Sequence, residues 1–468
     1  MFEAVVDRFL TKSPLTVMAR LVLDRVCDPT WVEQLFAEHA EGQYQHTLLF
    51  SSVVDLTSQV VLGQRPSLHA AAQRQGLPVS VQALYGKVRR TEPAVLRALV
   101  RGAYARLAPV YDALGRTEVP LCQGFAVRIV DGNDLPASEK RLGPLRGFRG
   151  AAMPGQSLVV YDPERDLVAD VLPWPDAHDH ESGLLGHLMP EVEAESLWVA
   201  DRAFSTRAIV LGFVARGAFV LVREAPHTPA PKVEGERRRV GRAETGVVYE
   251  QPVSIPDGKG EGGVLRLRRL ELELDAPTGD GDTVLRLLTN VPASRASATA
   301  LARLYGHRWR VEGLFGRLEA ALASEVRSLG TPGGALLAFC VALVAYDVLA
   351  LLQAAVERAH PAPSTPELSS FYLAADLRAT YEGLAIAVPE AYWARYAGQS
   401  EEAFARTLLT MARKVDPRTL RKHPREPKPR KKKGYVPASE VRRQVATARV
   451  LAAGTVDDEK RPRLKGWL

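Results

Sequence analysis

Phe125-Ala-Val-Arg-Ile-Val-Asp131 and Leu197-Trp-Val-Ala-Asp201 are two apolar runs that each close on an aspartate. Short runs of β-branched and aromatic residues bounded by a turn-forming acid read as strands. Between them, Leu158-Val-Val-Tyr161, a polar turn from Asp162 to Asp166 and the segment Leu167 to Leu172 read as a hairpin, and Leu184 to Met189 as a short helix. After Asp201, residues Ile209, Val210, Phe213 and Val214 fall at helical spacing, and Ala218 to Val222 is a further strand. Three strands, a helix, a strand, a helix and a strand make an α/β core with a mixed sheet. Ligands of open α/β sheets gather at the carboxyl ends of strands, where both aspartates stand. Two acids brought together there repel unless a cation neutralises them, so the pair points to a divalent metal. The plain alternative is that Asp ends strands because it suits turns.

Upstream, residues 1 to about 115 read as helical. Val32, Leu35 and Phe36 have i, i+3, i+4 spacing, and Leu48 through Val61 continue a helical period. Ser67 caps a helix through Gln75, Gly76-Leu77-Pro78 breaks it, and Ser80 caps a second helix from Val81 to Arg90. The pair has the outline of a helix-turn-helix, with Lys87, Arg89 and Arg90 on or after the second helix as candidate DNA contacts; an ordinary helix pair in a bundle has the same outline. Downstream, Leu265 to Leu274 alternates apolar and polar residues, and Thr283 to Thr289 is another strand, so residues 224–292 read as a β-rich insertion. Helical pattern resumes at Ser297 and continues through Ala355. The apolar run from Ala335 to Tyr346 is twelve residues, too short to span a bilayer, and reads as a buried helix. Beyond Pro361 come less regular helices and then Lys428-Pro-Arg-Lys-Lys-Lys433, too rich in charge to pack.

The chain has 468 residues, 46% hydrophobic and 25% charged, which suits a globular protein of several domains. Its three cysteines, Cys27, Cys122 and Cys340, are far apart with no C-x-x-C pair, against a disulfide framework or zinc ribbon and in keeping with a reducing cytoplasm. The first residues carry acids where a secretory signal needs basic and then apolar ones, so neither secretion nor a membrane is expected. Net charge is +7, but residues 411–468 hold 18 Lys/Arg against 6 Asp/Glu, a net of +12 that leaves the first 410 residues at −5. A basic tail on a mildly acidic body points to a polyanion, of which nucleic acid is the commonest; a solvated tail without a partner is the alternative. Arg430, Lys431 and Lys432 are its densest cluster. There is no G-x-x-x-x-G-K-[ST], no H-E-x-x-H and no serine nucleophile elbow. The G-x-G-x-x-G at Gly258, Gly260 and Gly263 precedes a strand instead of opening a helix. His178, His180 and His187 read as surface residues.

A third acid comes from the helical stretch Tyr305-Gly-His-Arg308-Trp309-Arg-Val-Glu312-Gly-Leu-Phe315. At about 100° per residue, Tyr305, Arg308 and Glu312 share one face. Leu304, Val311, Phe315, Leu318 and Leu322 form an adjoining apolar stripe that can pack on the sheet while Glu312 points past its edge. Arg308 can orient that carboxylate or grip phosphate as a planar fork, and Tyr305 offers a hydroxyl for the same task. An ordinary i, i+4 ion pair on an amphipathic helix gives the same spacing.

This segment resembles the Y-x2-R-x3-E signature of DDE transposases of the insertion-sequence-4 type. Asp201-Arg202-Ala203-Phe204 is similar to the family's D-R-x-F, Val130-Asp131-Gly132 to the surroundings of its first catalytic aspartate, and Thr289-Asn290-Val291-Pro292 to the strand end before the signature helix. The likeness covers about residues 20–360. The signature's terminal Lys is replaced by Glu319, and Arg317 lies on nearly the opposite helix face. The resemblance implies an RNase H-like mixed α/β sheet flanked by helices, interrupted by the β-rich insertion, with helical N- and C-terminal regions. The expected divisions are a DNA-binding region 1–120, a first catalytic part 121–223, the insertion 224–292, a second catalytic part 293–360 carrying Glu312, and a basic region 361–468 for DNA or dimer contacts. It also implies that Asp131, Asp201 and Glu312 bind two Mg²⁺ ions, with Mn²⁺ as a substitute, for phosphodiester hydrolysis at an element end and transesterification into target DNA. Tyr305, Arg308 and Trp309 are implied DNA contacts, Trp309 by stacking on a base, with a partly buried packing role as its alternative. The partners expected are double-stranded DNA and a second copy of the chain, in a bacterial, nucleoid-associated cytoplasmic setting. An RNase H-like nuclease without strand transfer and a domesticated DNA-binding protein are the alternatives.

Overall fold

The computed structural model describes residues 2–43, 45, 47–77, 79–115, 119–135, 152–226, 229–258, 263–278, 281–324, 326–361, 366–423 and 445–452. Seven helices come first: α1 (Phe2–Lys12), α2 (Pro14–Val26), α3 (Pro29–His39), α4 (Phe50–Val61), α5 (Leu68–Gln75), α6 (Val81–Arg89) and α7 (Pro93–Ala113). Ser67 and Ser80 cap α5 and α6 by accepting from the Ala70 and Ala83 amides, both at 3.2 Å. Gly76 ends α5 in the left-handed conformation at φ 63°, where a side chain is strained.

The sheet follows: β1 (Ala126–Leu135), β2 (Ala152–Met153), β3 (Gly155–Asp162), β4 (Leu167–Trp174), α8 (Glu181–Leu188), β5 (Ser196–Ala200), α9 (Arg207–Ala215) and β6 (Phe219–Arg223). Then come β7 (Lys232–Val233), β8 (Arg238–Ala243), β9 (Gly246–Pro256), β10 (Val264–Leu274) and β11 (Val284–Thr289). In the sheet the order is β4-β3-β1-β5-β6-β11-β10-β9-β7, with β8 also paired to β9. The β1, β3 and β4 strands are antiparallel, and β5 and β6 run parallel to β1, the RNase H-like arrangement. β1 extends past Asp131 to Leu135 because its far half pairs with β3. The β-rich stretch expected at 224–292 joins the same sheet. β11 pairs antiparallel with β6, Leu288 opposite Val222, so its strands widen the same sheet.

The remaining helices are α10 (Ala298–Gly306), α11 (Trp309–Ala321), α12 (Pro332–Ala359), α13 (Ser370–Ala387), α14 (Glu390–Trp393) and α15 (Glu401–Ala412), then β12 (Val445–Ala446) and α16 (Thr447–Ala452). The helical pattern expected from Ser297 to Ala355 is carried by three of these helices, α10, α11 and α12. β12 pairs with β2, and Arg449 binds Asp176 through Nε at 2.6 Å, so part of the basic terminal region docks on the core. Lys428 to Lys433 lie outside the described residues.

Side-chain alternation divides the core between the sheet's two faces. Ile129, Val199, Leu221 and Leu287 join the helical side built on α2, α4, α7, α11 and α12. Val130, Ala200, Val222 and Leu288 join Leu184, Leu188, Val210 and Phe213 of α8 and α9 on the other. α12 is apolar on every side and buried, as a helix surrounded by protein must be. It is long and apolar enough to cross a membrane by length and composition, yet 94% of its apolar window is buried within the protein.

Asp347 interrupts that apolar helix and is fully buried. Its Oδ1 accepts from the Val168 amide at 2.8 Å, beside the irregularity where β4 loses register with β3. Burial drives its carboxyl well above the usual range, so the neutral acid is the form that fits. Asp347→Asn, which keeps the acceptor without the charge, is expected to melt at or above the parent temperature at pH 8. Asp347→Leu strands the Val168 amide and is expected to lose about 1–3 kcal/mol; chemical denaturation of the three proteins checks the ranking.

Candidate active site

The parallel ladder between β1 and β5 sets the site. Val130 pairs with Ala200, so the next residues, Asp131 and Asp201, stand side by side where the parallel β1–β5 pairing ends. By alternation both follow Ile129 and Val199 toward the face covered by α11. Asp201 then caps the single turn Arg202–Phe204, its Oδ1 accepting from the Arg202 amide at 2.6 Å.

Glu312 reaches the same place because the chain breaks between α10 and α11. Short i to i+3 bonds replace the helical ladder: the His307, Arg308 and Arg310 amides donate to the Leu304, Tyr305 and His307 carbonyls. Tyr305, Arg308 and Glu312 therefore do not lie along one straight helix. Gly306, a weak helix former, sits at the break, and the Arg308 side chain turns inward there. Arg308 Nη1 donates to Asp131 Oδ2 at 3.2 Å, and Nη2 to Glu312 Oε1 at 2.9 Å. Arg308 is 4% exposed, whereas the Glu312 side chain is 46% exposed. One guanidinium thus touches the first and third acids, and its charge also acts on Asp201.

α10 packs beneath β8, β9 and β10, and the loop before it is pinned by Arg268, whose Nη1 donates at 2.9 Å to the Val291 and Ala296 carbonyls. Asn290 extends the ladder onto β6 with its side chain, Oδ1 accepting from the Val220 amide and Nδ2 donating to the Ala218 carbonyl. These contacts leave Tyr305 at 4% exposure beside Arg308 and Asp201. Burial and the Asp201 charge raise its pKa.

A fourth carboxylate, Glu181 at the start of α8, stands on the other face of the sheet. Its pKa is raised by burial and by the charges of Asp134 and Asp201. The sequence does not single it out, because one acid in the first turn of a short helix is ordinary.

The other candidates divide. Trp309 is 51% exposed, with the Arg308 guanidinium 4.5 Å from its ring centre. Arg89 and Arg90 are exposed at the end of α6. Lys87 is not available to DNA: it is 8% exposed, its Nζ donates to the Leu48 carbonyl at 2.9 Å and lies 4.8 Å from the Phe36 ring centre. Its place on the inner side of α6 decides this, between Leu84 and Val88. Arg430, Lys431 and Lys432 lie outside the described residues. Glu319 is exposed, and Arg317 faces the core, binding Asp166 at 2.8 Å. His178, His180 and His187 are exposed.

Residues 123–347 match the family model of the transposase DDE domain. The matched DDE region contains Asp131, Asp201, Glu312 and the strands and helices that carry them. No curated protein matches the chain. Among solved structures, the cryo-EM structure of piggyBac transposase synaptic complex with hairpin DNA is similar at a TM-score of 0.35 and 11% identity, over 86% of this chain and 81% of that one.

The carboxylate oxygens of Asp131, Asp201 and Glu312 are hard donors of the kind that suit a divalent cation. Among the described residues no three of His, Cys, Asp and Glu converge closely enough to hold an ion. Arg308 supplies the positive charge between Asp131 and Glu312 instead. Cation binding therefore requires the guanidinium to leave and Glu312, half-exposed and on a flexible stem, to rotate inward.

Burial pushes the Asp131 carboxyl up to about 7, against the opposing effect of Arg308 and with reinforcement from Glu181 and Asp201. A folded-state value above the unfolded one means stability that is complete at low pH and lost as pH rises to about 7. Asp131→Asn removes that loss. In metal-free buffer the variant is expected to melt like the parent at pH 4 and about 2–4 °C higher at pH 8, the gap opening between those values. Calorimetric scans at pH 4, 6 and 8 measure it.

Proposed function

We propose that this chain is a DNA transposase that cuts the ends of a mobile element and joins them to target DNA. The observation that carries the reading is the adjacency of Asp131 and Asp201 across the β1–β5 ladder, with Glu312 bound to the same guanidinium as Asp131, inside a region matching the transposase DDE domain. Asp131 and Asp201 are the fixed ligands, because both follow directly from paired parallel strands. Glu312 is the mobile ligand, because it is half-exposed and held only through Arg308. Asp131, Asp201 and Glu312 would hold divalent cations, which would supply Lewis acidity for phosphodiester hydrolysis and for joining the freed 3′-OH to a second duplex. Arg308, released from Asp131, turns its planar fork to a phosphate, a geometry Lys cannot reproduce. Trp309, exposed beside the acids, offers a face on which an unpaired base stacks.

DNA is the substrate that the charge distribution favours. The net of +12 on residues 411–468 opposes a −5 body, so the tail grips phosphates while the acidic site is left for metal. Exposed Arg89 and Arg90 on α6 add a second cationic point. Residues 1–120 and 361–468 are assigned to DNA and dimer contacts, and 121–223 with 293–360 to chemistry. Joining two ends in one event requires two copies on the DNA.

Incubation of a supercoiled plasmid carrying the repeats that flank the coding region, with Mg²⁺, tests the reading. Nicked ends and joined products are expected, and Asp201→Ala is expected to reduce both by about 100-fold or more. Nicking that persists undiminished in that variant overturns the assignment of Asp201. Nicks without joined products identify a nuclease.

A further inference from the structure

We propose that residues 445–452 are a staple that fixes the basic terminal region to the rim of the acidic site, so that DNA gripped by that region is presented to Asp131 and Asp201. The inference rests on the reading of the basic region as a DNA contact and of the two aspartates as part of the cleavage site. It adds the element that joins the two.

β12 meets the core through a parallel two-residue ladder, Val445 opposite Ala152 and Ala446 opposite Met153. β2 leads directly into β3, whose first residue, Gly155, lies opposite Leu135 at the end of β1, on the strand that carries Asp131. Ala446 is fully buried against Ala177, and Thr447 is buried as well. Arg449 then spans two acids of one turn: its Nε donates to Asp176 Oδ2 at 2.6 Å and its Nη2 to Asp179 Oδ1 at 3.3 Å. The turn is held ready for it. Buried Gln156 donates from Nε2 to the Asp176 and Asp179 carbonyls at 2.9 and 2.7 Å, and Trp174 Nε1 donates to Asp179 Oδ2 at 2.6 Å. The same turn opens α8, whose Glu181 carboxylate lies where a side chain on Gly132, the residue after Asp131, would be.

What the ladder gathers is charge. In sequence, residues 136–151 lead into β2 with four Lys/Arg against one acid, and residues 424–444 lead into β12 with eight against two. The ladder is parallel, so both stretches enter it from the same end, beside acids that on their own repel phosphate. A region attached only at His423 could hold DNA anywhere within its tether, about 70 Å of extended chain up to Val445. Docking replaces that range with one position next to the aspartates and raises the local concentration of bound phosphate there. The hold is also reversible. The Arg449 side chain is 35% exposed, and ion pairs of that kind are individually weak and screened by salt. The staple therefore sets position and adds little to the stability of the fold.

The test separates grip from delivery in the full-length protein. Duplex DNA carrying the flanking repeats is bound without metal and followed by fluorescence anisotropy, nicking is timed with Mg²⁺ at saturating DNA, and hydrogen exchange of residues 445–452 reports docking. Arg449→Ala is expected to expose 445–452 to exchange, to melt like the parent, and to keep duplex affinity within about 3-fold. Its nicking at saturation is expected to slow about 10-fold or more. Asp176→Asn removes the other half of the pair, is expected to behave alike, and decides the matter if Arg449→Ala fails to fold. Arg449→Asp combined with Asp176→Arg restores the pair in reverse and is expected to recover nicking, which a general weakening of the fold would not allow. If Arg449→Ala undocks the segment yet nicks as fast as the parent or faster, the segment does not deliver DNA and the proposal fails. It fails too if duplex affinity drops in proportion to nicking, since Arg449 is then a phosphate contact. If the parent neither binds the duplex nor nicks it, the reading of the basic region and the acids falls, and the staple with it.

Discussion

Two like charges held in register at the ends of neighbouring strands are the constraint around which this molecule is arranged. The β1–β5 ladder gives Asp131 and Asp201 no freedom to separate, because each follows directly on a paired residue. Their repulsion must be met by positive charge or by protonation. Arg308 supplies the first, and burial, more than the neighbouring carboxylates, raises the proton affinity of Asp131. The break between α10 and α11 belongs to the same account, since an unbroken helix would carry Arg308 along a straight axis instead of turning it into the sheet.

The rest of the scaffold makes this arrangement rigid on one side and adjustable on the other. The aspartates sit on strands buried from both faces, and α12 fills the centre of the helical side. Glu312 rides on α11, whose outer surface is solvent and whose link to the site is a single ion pair. Two acids fixed on strands and a third on a helix surface let their arrangement change without unfolding anything else.

Much of this was legible in the residues themselves. The strands of the core, the caps at Ser67 and Ser80 and the buried nature of the Ala335–Tyr346 run follow from local pattern, which alternation and capping chemistry decide within a few residues. The Arg308–Glu312 contact followed from i, i+4 spacing, which the helix break leaves intact. What pattern did not reveal depends on distant partners. The pairing of β11 with β6 joins segments about sixty residues apart, and nothing in either strand names the other. Lys87 looked like a DNA contact because it belongs to a basic run, but the side of α6 it occupies is set by packing on α12 and by the Leu48 carbonyl. Glu181 carries no motif, and its place near Asp201 exists only after the sheet and α8 have docked.

The continuity of the sheet across β6 and β11 has a consequence for how the chain can be cut or recombined. An inserted module with its own core can be excised and its ends rejoined. Here the excision would strip β6 of its neighbour and leave its amides and carbonyls at an open edge, an invitation to edge-to-edge aggregation. The extra strands are therefore an integral part of the sheet, and a cut at the β6–β11 seam exposes the edge of β6.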